Sequence, residues 1–190
     1  MILKDGKYNV GIDSQYMNHF VHAQKRDQLC WAASIQTILK FYGIFVSQED
    51  IVIRTFGIQP DGFIPNWGAN YQQIHYHLNN WDYKIGNQEF QLRASFGEGA
   101  PNIRWLIQEL IEQRPILIGY HVNPGVGHAV VITAVDFFVK NGDWIVTKIV
   151  VRDPFPSDVN KCNNGRVEYG GKDLAKIIGG YWGIRVIRIK

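Results

Sequence analysis

The sequence predicts an α+β fold, in which a mainly helical first half (about residues 24–114) packs against an antiparallel β-sheet formed by the second half (about 115–190). Two observations carry this prediction. Apolar residues recur at helical spacing before Pro115, and runs rich in β-branched and aromatic residues follow it. The chain has 190 residues, 46% of them hydrophobic, which suits one domain with a substantial core. We therefore expect a single domain over residues 1–190, with a cleft between its helices and its sheet.

The helical part contains four predicted helices. The first runs from Trp31 to Tyr42 and stops at Gly43, a residue suited to a left-handed helix end. Ser47, with Asp50 three residues later, forms a capping-box pattern at the start of the second. The four segments, in chain order, are WAASIQTILKFY, SQEDIVIRTFG, ANYQQIHYHLNNW and NIRWLIQELIEQ. NQEFQLRASFGEGAPN (residues 87–102), before the fourth helix, is expected to be a long polar connection.

Four strands are predicted after Pro115: ILIGYHV, HAVVITAVDFF, WIVTKIVV and WGIRVIRI. Asn141 and Gly142, between the second and the third, have the composition of a tight hairpin turn. These two strands are therefore expected to be antiparallel neighbours, so that the start of one lies beside the end of the other.

Charge and hydropathy exclude several classes of function. The net charge is only +3 and no run of basic residues occurs, so we expect no nucleic-acid partner. The longest apolar runs are far shorter than the ~20 residues of a membrane-spanning helix, so we expect no membrane insertion. No secretory signal is visible at the N-terminus, which favours a protein acting in the cytoplasm or delivered into a target cell, or a form whose leader is missing. The pattern does not predict an oligomeric state.

The two cysteines do not form a disulfide framework for a chain of this length. No metal site or other cofactor is predicted, since His75 and His77 are only two residues apart on a helix and no metal-ligand motif occurs. Cys162 lies in a polar loop, SDVNKCNNG, and is interpreted as an ordinary thiol.

Cys30, in DQLCWAASIQTILKFYG, stands where a loop becomes the first predicted helix. One interpretation is a small buried hydrophobic residue, because free cysteine is among the most buried residue types. The other is a nucleophile, because the positive end of a helix dipole favours the reactive thiolate over the thiol.

A cysteine nucleophile needs a base, a group that orients the base, and donors for the oxyanion. His128 opens a strand, and Asp153 ends the next one, which the hairpin brings alongside it. Gln24, six residues before Cys30, is a candidate oxyanion donor together with the backbone N–H of Cys30. Each of the two strand residues also has a purely structural interpretation: His128 as a partly buried histidine at a strand end, and Asp153 as a turn residue before proline.

QKRDQLCWAAS, followed by GHAVV and then VRDPFP, resembles the papain-like cysteine peptidase superfamily. The resemblance implies a papain-like fold with the nucleophile at a helix N-terminus. It also implies a role for each candidate: Cys30 as nucleophile, His128 as its ion-pair partner and general acid/base, Asp153 as orienter of His128, and Gln24 as oxyanion donor.

The sequence departs from the plant and lysosomal members of that superfamily. Asp-Pro-Phe stands where those enzymes have Asn followed by Ser-Trp-Gly, and their disulfides around the cysteine are absent. In this it is similar to bacterial leader-processing peptidases that use His and Asp, or to bacterial effector peptidases. The shielding tryptophan of the plant enzymes has no positional match, although Trp182 is a candidate to fold over the site.

The function predicted on this basis is hydrolysis of peptide bonds in a protein or peptide substrate through a thioester intermediate. The alternatives are deamidation or acyl transfer on the same site, and a catalytically silent peptide-binding module. Two segments are candidate rims of the cleft, FIPNWGAN (residues 63–70) and VNPGVG (residues 122–127).

Overall fold

The computed structural model describes residues 6–85, 87–123, 126–155 and 163–189. Cys162, interpreted above as an ordinary thiol, lies outside these ranges. The helices in the described residues are α1 Ser14–Asn18, α2 Cys30–Phe41, α3 Gln48–Phe56, α4 Tyr71–Asn79, α5 Ile103–Ile111 and α6 Gly171–Ile177. The strands are β1 Lys7–Gly11, β2 Asp82–Ile85, β3 Gln88–Glu98, β4 Ile116–Asn123, β5 Val126–Lys140, β6 Asp143–Arg152, β7 Arg166–Gly170 and β8 Ile178–Arg188.

The strands form one antiparallel sheet in the order β2-β3-β8-β4-β5-β6-β7, and β1 pairs with the second half of β5. The Asn141-Gly142 hairpin is confirmed: Lys140 pairs with Asp143 across the turn, and both turn residues have positive φ angles. The long strand β5 therefore pairs with β4 near its start and with β6 towards its end.

Helices cover both faces of the sheet. α2, α3 and α4 share one hydrophobic core with sheet residues such as Leu117 and Val131. α5 and α6 share the other core with Ile116 and Ile118, the neighbours of Leu117 on β4. Successive residues of this central strand thus pack into cores on opposite faces of the sheet. For this reason its sequence is continuously apolar rather than alternating.

The predicted helix starts are confirmed. Ser47 and Asp50 form the capping box of α3, and Asn70 forms a second one with Gln73 at α4. The Asn102 side chain accepts hydrogen bonds from the first-turn N–H groups of α5. None of the helices in the described ranges has the length and apolar character needed to cross a membrane.

The first half contains more sheet than predicted. Residues 88–98 of the expected connection form β3, which pairs with both β2 and β8. The polar composition of this segment led to the wrong prediction. In the structure every second residue packs on the first core: Leu92 and Ala94 are buried, and Phe96 is partly buried. β1, β2, β7, α1 and α6 were also not predicted.

Candidate active site

Cys30 is the first residue of α2, as predicted, and is partly buried. No side-chain cap bonds the start of this helix and no acidic residue lies in its first turn, so the positive end of the helix dipole faces the thiol unopposed. Buried Ser34, one turn later, donates a hydrogen bond of 3.0 Å to the carbonyl of Ala129. This bond fixes the start of α2 against β5, beside His128.

His128 and Asp153 are in direct contact. The His128 Nε2 lies 2.8 Å from the Asp153 Oδ1, which also accepts the backbone N–H of Phe155 at 2.8 Å. Asp153 is only 6% exposed. The backbone N–H of Asp153 donates to the Gly165 carbonyl, and the guanidinium of the adjacent Arg152 donates to the carbonyl of Asn163. These hydrogen bonds hold the segment that carries the carboxylate in place.

The imidazole of His128 links the carboxylate to the thiol. Burial of the ring opposes its protonation, but hydrogen bonds to Asp153 and Cys30, with the charges of both, raise the pKa of His128 to about 10. Since Nε2 faces Asp153, Nδ1 is the ring nitrogen left for the thiol. At neutral pH the ring is therefore protonated and placed to pair with a cysteine thiolate.

Tyr120 is a site residue that the sequence analysis missed. It lies directly opposite His128 in the β4–β5 register and is 7% exposed. The two ring centroids are 5.5 Å apart in an edge-to-face arrangement. Its hydroxyl lies 3.5 Å from that of Tyr169 on β7. Burial is the main cause that raises the pKa of Tyr120, so the phenol stays neutral. Its ring packs edge-on against the imidazole of His128.

Gln24 is buried beside the segment that carries Asp153, and its side-chain amide bonds backbone carbonyls. Its backbone N–H donates to the carbonyl of Pro154, the residue after Asp153, at 2.8 Å. Its side-chain Nε2 donates to the carbonyls of Arg26 and Asp27, each at 3.1 Å. Donation to an oxyanion therefore requires Nε2 to release one of these carbonyls, and this role of Gln24 stays a prediction.

A cleft of about 340 Å³ opens in front of Cys30 and His128. Both predicted rim segments reach it, through Gly68 and Ala69 on one side and through Val126 and Gly127 on the other. The indole N–H of Trp31 donates to the carbonyl of Trp67 at 3.0 Å and holds the first rim segment on α2.

Trp182 lies under the cleft rather than over the histidine. It is fully buried, and its ring packs on those of Tyr71 at 5.4 Å and Phe96 at 5.2 Å. The idea that it folds over the site is therefore wrong, because β8 runs between β3 and β4 and carries Trp182 into the first core. The aromatic ring in contact with His128 is that of Tyr120.

Helices on a large antiparallel sheet, with a cysteine at a helix start facing a histidine on a strand, define a papain-like cysteine peptidase. The chain belongs to the Peptidase_C39-like family, whose model matches residues 11–170. It is accordingly a cysteine protease. No curated protein sequence is recognisably similar to it.

Among the solved structures that share the fold at low sequence identity are three peptidases. One is a double glycine motif protease from an AMS/PCAT transporter in complex with the leader peptide (18% identity, TM-score 0.50, 86% of this chain and 89% of that chain covered). Another is the peptidase domain of Streptococcus ComA, a bi-functional ABC transporter involved in a quorum-sensing pathway (14% identity, TM-score 0.52, 86% of this chain and 95% of that chain covered). The third is the digestive procathepsin L2 proteinase of the Tenebrio molitor larval midgut (13% identity, TM-score 0.54, 93% of this chain and 68% of that chain covered). These likenesses show the papain-like fold.

Proposed function

We propose that Cys30, His128 and Asp153 are the catalytic triad with which this protease hydrolyses peptide bonds. The observation that carries the proposal is the imidazole of His128, which lies 2.8 Å from Asp153 and borders the same cleft as Cys30. A nucleophile, its base and the orienter of that base thus lie together at the edge of one cleft.

In the proposed mechanism Asp153 fixes the tautomer and orientation of His128. The Cys30 sulfur attacks the carbonyl carbon of the scissile bond, and the resulting oxyanion takes a hydrogen bond from the Cys30 N–H and one from Gln24. His128 gives its proton to the leaving amine, and a thioester forms. Water, deprotonated by His128, then releases the acid and regenerates the thiol.

We propose an extended peptide with small side chains near the scissile bond as the substrate. The cleft wall is formed by Tyr71, whose ring closely approaches three backbone glycines: a Cβ at Gly119 would lie 2.9 Å from it, one at Gly179 2.3 Å and one at Gly180 3.3 Å. Because these contacts hold the ring against β4 and β8, Tyr71 is a fixed part of the wall of the cleft that also contains Cys30. The structural neighbour described as a double glycine motif protease supports the same class of substrate by analogy.

The test compares the purified protein with Cys30→Ser on a peptide library containing Gly-Gly, Ala-Gly and Leu-Leu sequences, read by mass spectrometry. New peptide termini are expected with the wild type alone, chiefly after small residues. A one-dalton gain on glutamine or transfer to an added amine would instead assign deamidation or acyl transfer. Equal turnover by Cys30→Ser would contradict the proposed nucleophile.

A further inference from the structure

A second cavity lies on the face of the sheet opposite the α2 core. It has a volume of about 230 Å³ and is bounded by α5, α6 and the strands β5 and β6. Leu106, Ile132, Ile149 and Ile178 form its apolar walls and are themselves buried. It shares no lining residue with the cleft at Cys30. It is therefore a separate feature of the molecule, and inferences about it do not depend on the triad.

The chemistry of the walls selects an apolar guest. Ala175 and Ile103 complete the lining on the two helices with further hydrocarbon. Ile103 is 39% exposed, so the apolar surface continues from the cavity to its mouth. A cavity with apolar walls does not hold water well but does take hydrocarbon guests.

The mouth of the cavity carries positive charge. Lys172 lines it and is exposed, and among the described residues it forms no ion pair. The guanidinium of Arg104 lies 5.7 Å above the ring of Trp144, another lining residue. No acidic side chain occurs among the lining residues that the structure describes. The carboxylate of Asp173, next to Lys172, lies against Gly170 at the start of α6.

We propose that this cavity binds the acyl chain of a fatty acid, with the carboxylate at Lys172. At ~30 Å³ for each water-sized group, a volume of this size accommodates roughly eight methylene and methyl groups. The geometry thus points to a medium-chain carboxylate of about eight to ten carbons. Its hydrocarbon tail would contact the apolar walls, and its carboxylate would pair with the positive charge at the mouth.

The first arm of the test is isothermal titration of the whole protein with hexanoate, octanoate, decanoate and dodecanoate, each below its micelle concentration. The Kd is expected to fall about fourfold for each added methylene, because burial of one methylene contributes about 0.8 kcal/mol to binding. The Kd should level off near decanoate, when the cavity is full. Absence of saturable binding at millimolar decanoate would overturn the proposal.

The second arm places the ligand. Ala175→Trp fills the cavity from α6 and should weaken decanoate binding by at least tenfold. Val146→Phe narrows it from β6 and serves if the first variant does not fold, as judged by its circular dichroism melt. Cys30→Ala should bind as the wild type does. Unchanged binding in a folded, cavity-filled variant would put the ligand elsewhere and contradict the proposal.

The third arm tests the charge. Lys172→Glu should weaken decanoate binding several-fold, whereas Lys40→Glu makes the same change of net charge at the end of α2, on the other face of the sheet, and should leave it unchanged. Decyltrimethylammonium, with the same tail and the opposite head, should bind the wild type more weakly than decanoate. Equal effects of the two lysine substitutions would leave only non-specific attraction and reject the site.

Discussion

Two buried carboxylates of this protein are held in opposite ways. Glu109 on α5 is 2% exposed, and its two oxygens accept four hydrogen bonds from the guanidinium groups of Arg114 and Arg185. Asp153 is almost as buried, but its side-chain partners are the imidazole of His128 and a backbone N–H.

The difference lies in the proton of the partner. An arginine does not lose its proton in a protein, so the Glu109 cluster is a permanent set of charges. Burial opposes the ionisation of Glu109, but the bonds and charges of Arg114 and Arg185 hold its pKa below the usual value. The imidazole beside Asp153 can give up a proton to a substrate. Carboxylates of similar burial thus have different roles: Glu109 forms structural ion pairs, and Asp153 forms a candidate acid–base pair with His128.

The largest effect is expected from His128→Ala. Loss of the general acid/base should lower kcat/KM by roughly 10²- to 10⁴-fold per folded molecule. The melting temperature should also fall, because the variant leaves the buried carboxylate of Asp153 without its protonated partner. Steady-state kinetics on a cleaved peptide, with a thermal melt of the same sample, measure both quantities. Full activity in a folded variant would remove His128 from the mechanism.

Glu109→Ala should lower stability without lowering activity per folded molecule. It leaves two arginines without their buried acceptor and should lower the free energy of unfolding by about 3 kcal/mol, with kcat per folded molecule retained. Urea unfolding measures this loss. Glu112→Ala is the matched control, because it removes a more exposed partner of Arg114 and should cost less than about 1 kcal/mol. Equal losses in the two variants would contradict the structural role given to Glu109.

The proton on His128 should also appear in the pH dependence of stability. The pKa of His128 is about 10 in the folded protein, whereas a histidine in the unfolded chain titrates near its usual pKa of 6.5. The raised pKa means that the protonated ring stabilises the folded state: the contribution is complete below about pH 6.5 and is lost as the pH rises to about 10. Between these values the wild type should lose more free energy of unfolding than His128→Ala. Parallel stability curves would contradict the raised pKa.

A smaller effect is expected at Tyr120. Tyr120→Leu removes the ring that meets His128 edge-on and should lower kcat/KM by roughly two- to tenfold, the equivalent of about 0.5–1.5 kcal/mol. Tyr120→Phe keeps the ring and should remain close to wild type. If the two variants lost the same activity, the phenol hydroxyl rather than the ring contact would be the important group.

The sequence was informative where local signals determine the structure. The start of α2 placed Cys30, and the Asn141-Gly142 turn fixed the β5–β6 pairing that brings His128 beside Asp153. Both inferences rest on short stretches of chain whose conformation is set by neighbouring residues. For this reason they were available without knowledge of the rest of the fold.

Features that depend on pairing between distant segments were not predictable in the same way. Tyr120 meets His128 because β4 pairs with β5 in one particular register, and Trp182 lies under the cleft because β8 enters the sheet between β3 and β4. The orientation of the Gln24 side chain was not predictable either. Its amide donates to the carbonyls of Arg26 and Asp27, and the geometry of the local loop determines which carbonyls it reaches.

The most direct test of the proposed site is the alkylation rate of Cys30 in the native protein as a function of pH, located by peptide mass spectrometry. An isolated thiol, with a pKa near ~8.5, is almost unreactive at pH 6, whereas a cysteine paired with protonated His128 should react rapidly there. Fast alkylation of Cys30 at pH 6 is expected in the wild type and should disappear in His128→Ala. Protection of Cys30 in the folded protein, or a rate at pH 6 that His128→Ala leaves unchanged, would contradict the proposed site.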